Sequence, residues 1–221
     1  MNFRYGKAET DYLKSRDKRL GEIIDRVGAI GRGVQPDLFR AIVRNIVAQQ
    51  ISGKAAATIM DRMESALGEI APWTLVQAGA AAIQRCGTSL RKAEYIADFA
   101  AKVASGEFDI AALERATDAE VVAALSSLRG IGVWTAEMLL LFTFRRPDVL
   151  SFGDLGIHRG MRMVYRKRKI DKALFERIRR RLSPCGSVAS LYFWAVAGGA
   201  IPDLTDPAAK RNNPRAKGEA K

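Results

Sequence analysis

The sequence contains very little histidine and cysteine. It has one histidine, His158, and two cysteines, Cys86 and Cys185, in 221 residues. These counts exclude a disulfide scaffold, a four-cysteine metal or iron–sulfur site and a His-Glu-x-x-His enzyme. No apolar run approaches the roughly 18–20 residues of a membrane span, and the longest, 139–144, ends at a pair of arginines. The polar start, MNFRYGKAETDYLK, is not typical of a secretory signal, so we expect no membrane partner.

Positive charge is in excess and is unevenly distributed. Lys and Arg number 36 against 24 Asp and Glu, which gives a formal charge of +12. The segment 159–181 carries a net +9 of that total, because its eleven basic residues face only Asp171 and Glu176. Such density favours a polyanionic partner, most often nucleic acid. A solvated helical face and an acidic membrane surface are the alternatives.

Apolar residues recur at helical spacing along nearly the whole chain. The spacing predicts helices over 36–50, 54–67, 73–77, 80–85, 90–105, 118–126, 133–144, 156–166, 172–182 and 188–197. Asp118 is predicted to cap its helix. Strand signals are weak, since no sustained alternation and no Asn-Gly or Asp-Gly turn occurs. The sequence therefore predicts an all-α fold, followed by a disordered Pro-, Ala- and Lys-rich end over 206–221.

Two glycines stand between two of these helices, in the string LRGIGVWTA at 128–136. Gly130 and Gly132 permit a tight reversal with backbone angles closed to other residues, and Ile131 between them is expected to enter the core. The next helix starts at once, so its free backbone N–H groups present a partial positive charge that suits a phosphodiester. A plain glycine turn between helices is the alternative.

This string resembles the helix-hairpin-helix of the DNA glycosylase superfamily, in which a Gly/Pro-rich loop and a catalytic Asp follow the hairpin. The resemblance continues in order over about residues 12–200. IVAQQIS at 46–52 resembles the family's DNA-probing turn, and GTSLRKAEYI at 87–96 resembles its G-x-S-x-x-K-A helix. DVLSFGDLGI at 148–157 resembles its catalytic loop, and VASLYFW at 188–194 its closing helix. The branch it resembles most is 3-methyladenine DNA glycosylase II, in a compact form without the N-terminal β-rich domain.

The resemblance places the essential carboxylate at Asp154. Breaking an N-glycosidic bond builds positive charge on the deoxyribose, which a fixed carboxylate stabilises. The same group can orient or deprotonate the attacking water. Because Asp154 precedes a predicted helix start, capping that helix is an alternative role, compatible with catalysis. Asp148, earlier in the loop, is the rival carboxylate and is interpreted as structural.

A base must leave the duplex before its bond is cut, and it then needs a pocket. Indole rings attract cationic alkylated purines, so the pocket is expected to be mainly aromatic. The expected pocket residues are Trp134, Trp194, Tyr192, Phe152 and Met138. For the two tryptophans, core packing is the alternative. Met138 stands where the better-known branch has Tyr, and Gly186 stands where an Arg is frequent, which alters the pocket. Relatives that also cut the backbone carry Lys in place of Trp134, so hydrolysis without lyase activity is implied.

Gln50 is the expected wedge, whose amide would fill the gap left by the flipped base. A solvent-facing glutamine is the alternative. Gly130, Gly132 and Val133 of the hairpin and Arg159 of the basic segment are expected to be further DNA contacts. Thr135 is expected to contact a phosphate or, alternatively, to cap the second hairpin helix. The resemblance also implies that backbone carbonyls of Ser126, Leu128 and Ile131 hold a monovalent cation that bridges the hairpin to a phosphate. No other cofactor is expected to be required.

Two helical subdomains are expected, with the active site in the cleft between them. Residues 36–145 would form a helical barrel ending in the hairpin at 128–135. Residues 1–35 with 146–202 would form the second subdomain, and 203–221 a flexible basic tail. The segment 159–181 is expected to lie near the DNA backbone.

The function implied is a monofunctional DNA glycosylase in base excision repair. It would release alkylated purines, of the 3-methyladenine and 7-methylguanine type, from double-stranded DNA as a monomer and leave an abasic site. Its location would be the nucleoid-associated cytoplasm of a prokaryote, or the nucleus of a eukaryote. The alternatives are the same fold acting on uracil, hypoxanthine or an oxidised purine, and a non-catalytic DNA-binding module.

Overall fold

The computed structural model describes residues 2–209. Within that range the regular structure is eleven α-helices, one 3₁₀ turn at Ala112–Glu114 and an isolated bridge between Asn2 and Gly33, with no strand. The predicted all-α class is confirmed. The helices are α1 (Lys7–Arg16), α2 (Lys18–Val27), α3 (Leu38–Ala48), α4 (Gly53–Leu67), α5 (Pro72–Arg85), α6 (Leu90–Ala104), α7 (Asp118–Ser126), α8 (Val133–Phe142), α9 (Leu155–Tyr165), α10 (Lys172–Leu182) and α11 (Gly186–Ala197). None of the helices in the described range is both long enough and apolar enough to cross a membrane.

The chain divides into two compact units. Among the described residues, unit 1 comprises Gly31–Val149 with Asn2 and Phe3, and unit 2 comprises Arg4–Ile30 with residues 150–209. From the sequence, we expected the first subdomain to span residues 36–145. The cleft expected between the subdomains stays a prediction.

Two acidic residues at the start of the predicted flexible tail, 203–221, contact helices of unit 2. Asp203 forms an ion pair with Arg26, and Asp206 accepts hydrogen bonds from Arg162, at 2.9 Å from Nε. These pairs tie the start of the segment to α2 and α9 of unit 2. Residues 210–221 of the predicted tail lie outside the described residues.

Unit 1 is built around an apolar core shared by α3, α6 and α8. The Phe39 ring of α3 stacks on the Phe99 ring of α6 with centroids 5.0 Å apart, and residues 138–141 of α8 are buried. Helix α5 bends at Gly79, whose φ of +70° interrupts it, so the two short pieces predicted at 73–77 and 80–85 are confirmed. One predicted cap is wrong: Thr117, not Asp118, caps α7, in a capping box with Glu120.

Unit 2 depends on a close approach of α9 and α11. A Cβ added at Gly160 would lie 2.1 Å from the carbonyl oxygen of Phe193, so only glycine fits there. Eight consecutive residues of α11, 186–193, are buried. This contact brings the start of α9 next to the middle of α11. Cys185 in this unit and Cys86 in unit 1 are buried, as expected for small apolar side chains.

Candidate functional site

Asp154 lies at the start of α9 and caps that helix. Its Oδ1 accepts a hydrogen bond of 2.7 Å from the backbone N–H of Ile157, and the side chain is almost fully buried. The capping role that the sequence left open is therefore confirmed. A carboxylate at a helix N-terminus is stabilised by the helix dipole and by its donors, which hold the charge in one place.

A second donor to the same carboxylate comes from α11. The indole Nε1 of Trp194 lies 2.9 Å from Oδ1 of Asp154. Gly156 makes room for this pair, because a Cβ there would lie 2.9 Å from the indole Cδ1 and 3.1 Å from Oδ1 of Asp154. Trp194 was predicted to line a base pocket, whereas here it also fixes the orientation of the carboxylate.

An aromatic cluster supports the loop that carries Asp154. The carbonyl oxygen of Phe152 lies 2.7 Å from Nε2 of His158, and the His158 ring stacks on Phe175 with centroids 5.6 Å apart. The Phe152 ring packs edge-on against both, yet 41% of the residue remains exposed. The structure thus places an exposed aromatic ring two residues from the carboxylate. Sequence reasoning missed the role of His158, although Phe152 lies only six residues before it in the chain.

Tyr192 is not available to stack on a base. The residue is 1% exposed, its hydroxyl donates to the carbonyl oxygen of Gly28 at 3.0 Å, and its ring meets Tyr5 edge-on. Burial is the main cause that raises the pKa of the Tyr192 phenol, and the hydrogen bond to Tyr5 raises it further. The hydroxyl therefore stays protonated. The prediction of Tyr192 as a pocket residue is wrong, since it lies in the core of unit 2. Met138 is buried in unit 1, and its proposed place in a pocket stays a prediction.

The glycine turn between α7 and α8 has the tight form that the sequence predicted, with one correction. Gly130 has a φ of +87°, and its Cα packs so closely on Tyr95 that an added Cβ would lie 2.5 Å from the ring. Gly132 has an ordinary φ of −95° and nothing near its missing Cβ, so it needs no special backbone freedom. Ile131 between them is buried, as expected.

The start of α8 lies at the surface of unit 1. Its N-cap residue, Gly132, makes no side-chain capping hydrogen bond, and the first turn of the helix carries a partial positive charge. Val133 and Trp134 of this turn are 57% and 48% exposed, and Thr135 is half-buried. These residues, with the turn before them, form one surface of unit 1. Arg159, predicted as a DNA contact, lies exposed on α9 of unit 2.

Gln50 lies at the tip of the turn between α3 and α4. It is exposed and has a φ of +59°, a left-handed conformation that costs free energy for any residue other than glycine. Strain of this kind persists only where the surroundings impose it, and it is frequent at functional sites. Ser52 caps α4 directly after the turn.

Two side chains that sequence reasoning passed over hold this turn. Lys92 donates from Nζ to the carbonyl oxygens of Val47 and Gln49, at 2.9 and 2.6 Å. The Gln49 amide donates in turn to the carbonyl oxygen of Gly130 at 2.6 Å. Partial burial lowers the pKa of Lys92. The turn that carries Gln50 is therefore joined to the glycine turn inside unit 1. The only sequence signal for this was the Lys of the GTSLRKAEYI string.

Comparison with known proteins identifies the class. The model of the HhH-GPD superfamily of base excision DNA repair proteins matches residues 43–185, which span the Gln50 turn, the glycine hairpin and Asp154. The chain belongs to this superfamily.

Individual relatives carry more specific names. The chain is similar to the DNA-3-methyladenine glycosylase of Saccharomyces cerevisiae, with 31% identity over 198 residues that cover 73% of this chain and 67% of the relative. A crystal structure of DNA-3-methyladenine glycosidase from Bacillus halodurans aligns with a TM-score of 0.83 and 35% identity, covering 92% of this chain and 95% of that one. The 3-methyladenine DNA glycosylase of Schizosaccharomyces pombe, in complex with abasic DNA, aligns with a TM-score of 0.75 and 26% identity, covering 90% and 100%.

Proposed function

We propose that this protein is a monofunctional DNA glycosylase that hydrolyses the N-glycosidic bond of alkylated purines in double-stranded DNA and leaves an abasic site. The observation that carries the proposal is the carboxylate of Asp154, held by donors from two helices, Ile157 N–H of α9 and Trp194 Nε1 of α11. The names of the relatives support the choice of base, since several are 3-methyladenine glycosylases.

Asp154 would act on the sugar. Departure of the base leaves an electron-poor deoxyribose, and a negative charge already fixed beside it lowers the barrier without reorganising. The carboxylate would then orient the water that attacks C1′ and accept its proton. Cationic bases such as 3-methyladenine are good leaving groups, so a single carboxylate is sufficient for their release.

Unit 1 would hold the duplex. The first turn of α8, with the hairpin before it, suits a backbone phosphate. Gln50 at the tip of its strained turn would enter the base stack, where its amide can donate to and accept from the unpaired partner base. The rigid support from Lys92 and Gln49 fits a side chain that must push against stacked bases.

Specificity would come from exposed aromatic surface. Trp134 and Phe152 keep about half and two fifths of their surface exposed. An electron-poor, positively charged purine gains a cation–π attraction on such rings that a normal base lacks.

Lyase chemistry would be absent. A Schiff base needs an uncommitted amine at the sugar. By the resemblance described above, Trp134 occupies the position at which relatives with lyase activity carry Lys. Lys92 of unit 1 already donates to two carbonyl oxygens.

A monovalent cation at the hairpin is a further part of the proposal. Ile131 N–H occupies one lone pair of the Leu128 carbonyl at 3.1 Å, which leaves the second available. The buried hydroxyl of Ser126 has no hydrogen-bond partner among the described residues, which fits a site that needs one more ligand. The carbonyls of Ser126, Leu128 and Ile131 would hold the ion, which would add positive charge beside a phosphate. We further propose that the protein acts as a monomer wherever DNA lies, the nucleoid or the nucleus.

The decisive test is Asp154→Asn. The amide keeps an oxygen that can accept the cap hydrogen bond, so the fold should survive while the charge is lost. We expect base release from methylated DNA to fall by at least about a hundredfold, with duplex affinity unchanged. Asp148→Asn, in the same loop, is the matched control and should retain activity. Full activity in Asp154→Asn would refute the assignment.

The substrate class needs a separate measurement. Single-turnover reactions on methylated DNA and on duplexes with uracil, hypoxanthine or an oxidised purine, followed by hot alkali, reveal abasic sites. We expect release from methylated DNA and no strand breaks before alkali. Breaks without alkali would contradict the monofunctional assignment, and absence of release from every substrate would favour the non-catalytic alternative.

A further inference from the structure

A basic groove lies in unit 2, between the α1–α2 junction and the ends of α9 and α10. It has a volume of about 340 Å³. We call it the basic groove and define it by its six cationic residues, which are Arg16, Lys18, Arg19, Lys167, Arg177 and Arg181. They come from three stretches of the chain, 16–19, 167 and 177–181, so the sequence shows only part of the cluster.

The one carboxylate that lines the groove does not neutralise it. Asp17 is 4% exposed and accepts from Leu20 N–H at 3.0 Å, from the Tyr165 hydroxyl at 2.8 Å, and from Arg181 in an ion pair. The carboxylate of Asp17 is therefore already engaged in capping α2 and in the ion pair with Arg181. The pKa of Tyr165 is raised, mainly by burial, so its hydroxyl remains a donor to this carboxylate.

Most of the remaining cations have no anionic partner. Arg19 donates to the carbonyl oxygen of Tyr165 at 2.7 Å, which orients the guanidinium without neutralising it. Lys18, Lys167 and Arg177 are exposed and form no hydrogen bond from their side chains and no ion pair with any residue of the described range. Like charges held this close repel one another, unless an anion lies between them.

The backbone conformation at the end of α9 helps to position these charges. Arg166 ends α9 in a left-handed conformation with φ of +53°, which is unusual for a residue other than glycine. The reversal turns the backbone so that Lys167 lines the groove. Arg177 and Arg181 lie four residues apart on α10 and so on one face of that helix.

We propose that the basic groove binds a phosphodiester of the DNA backbone, as a second contact separate from the hairpin of unit 1. Guanidinium groups pair with phosphate oxygens through two parallel N–H donors, and lysines add unspecific attraction. A backbone phosphate carries no sequence information, so the contact would supply affinity alone. This inference rests on the proposed function, because it assumes that DNA is the polyanion.

The test compares two double variants that each remove two charges from unit 2. Lys167→Gln with Arg177→Gln changes the groove. Arg4→Gln with Lys7→Gln changes two exposed cations outside its lining. The affinity of each full-length protein for an undamaged duplex is measured over a range of salt concentrations. If both groove cations contact phosphates, the slope of log affinity against log salt becomes shallower by about 1.8, since each phosphate contact contributes about 0.9.

Three outcomes are possible. A shallower slope in the groove variant alone supports the proposal. Equal slopes in both variants and the wild type overturn it. A second arm measures binding of inorganic phosphate. If the groove variant loses phosphate binding while its DNA slope is unchanged, the groove takes a free anion, and the DNA assignment is wrong.

Failure of this inference is distinguishable from failure of the proposed function. At saturating enzyme, both double variants should release base at the wild-type rate, because neither alters Asp154. Asp154→Asn should in turn keep the wild-type salt slope. If the wild type releases base and the salt slope of the groove variant is unchanged, only the proposal about the basic groove is refuted. If the wild type releases no base and the salt slope of the groove variant becomes shallower, only the proposed glycosylase activity is refuted.

Discussion

Replacing Gly130 with alanine should damage the hairpin for two separable reasons. The first is the backbone, since φ is +87° and a left-handed conformation costs a non-glycine residue about 1–2 kcal/mol. The second is space, since the new Cβ would lie 2.5 Å from Cδ2 of Tyr95 and 3.1 Å from Cε2. Moving a packed ring in this way costs about 1–3 kcal/mol. Together they should reduce the free energy of unfolding by about 2–5 kcal/mol.

Urea denaturation of Gly130→Ala beside Gly132→Ala measures this difference. Gly132 lies two residues away with φ of −95° and no atom within 4 Å of an added Cβ, so its replacement loses only the preference of the cap for glycine, under about 1 kcal/mol. A further comparison in a Tyr95→Ala background removes the steric part and leaves the backbone part.

Duplex affinity should follow the same order, because the Gly130 carbonyl also anchors the Gln49 amide. Equal stability losses for the two glycine variants would refute the geometric reasoning. A loss in Gly130→Ala that does not shrink in the Tyr95→Ala background would refute the steric part alone.

Three more outcomes are expected. Lys92→Met, which removes two charge-assisted hydrogen bonds, should lower the free energy of unfolding by about 2 kcal/mol in urea titrations, with Lys92→Arg recovering part of it; an unchanged midpoint would contradict this. Trp194→Phe removes one donor to Asp154 and should slow single-turnover base release by about ten- to a hundredfold at unchanged duplex affinity, and a weaker affinity with a normal rate would show that the indole acts in binding instead. Gly160→Ala, whose Cβ would lie 2.1 Å from the Phe193 carbonyl oxygen, should abolish the native near-ultraviolet circular dichroism signal, and a native signal would mean that α9 and α11 can separate.

The helical fold was predictable because the apolar residues of a helix recur at a regular spacing in the sequence. Apolar spacing located α3 to α11 to within a few residues, and the separate pieces on either side of Gly79 anticipated the bend in α5. The first two helices, α1 and α2, were not predicted. Asp154 was placed correctly at a helix start, since capping depends on the next three residues. Thr117 was missed in favour of Asp118, because two adjacent residues both favour the cap position.

What the sequence does not contain is the partner of each side chain across the fold. Tyr192 looks like a pocket aromatic until its hydroxyl is seen to reach Gly28, 164 residues away. Lys92 and Gln49 look like ordinary polar residues until their hydrogen bonds across 43 and 81 residues are known. Tertiary distance decides these roles, and no local pattern records it.

If the protein acts on DNA as proposed, the hydrogen bond from Gln49 to Gly130 has a mechanical consequence. The glycine turn is proposed to bind a phosphate, and the Gln50 turn is proposed to contact the base pairs. The hydrogen bond between the two turns would fix the distance from the bound phosphate to the base pair that Gln50 contacts. Each step along the duplex would then apply the same load to the next pair, so that weakly paired positions yield first and intact ones resist.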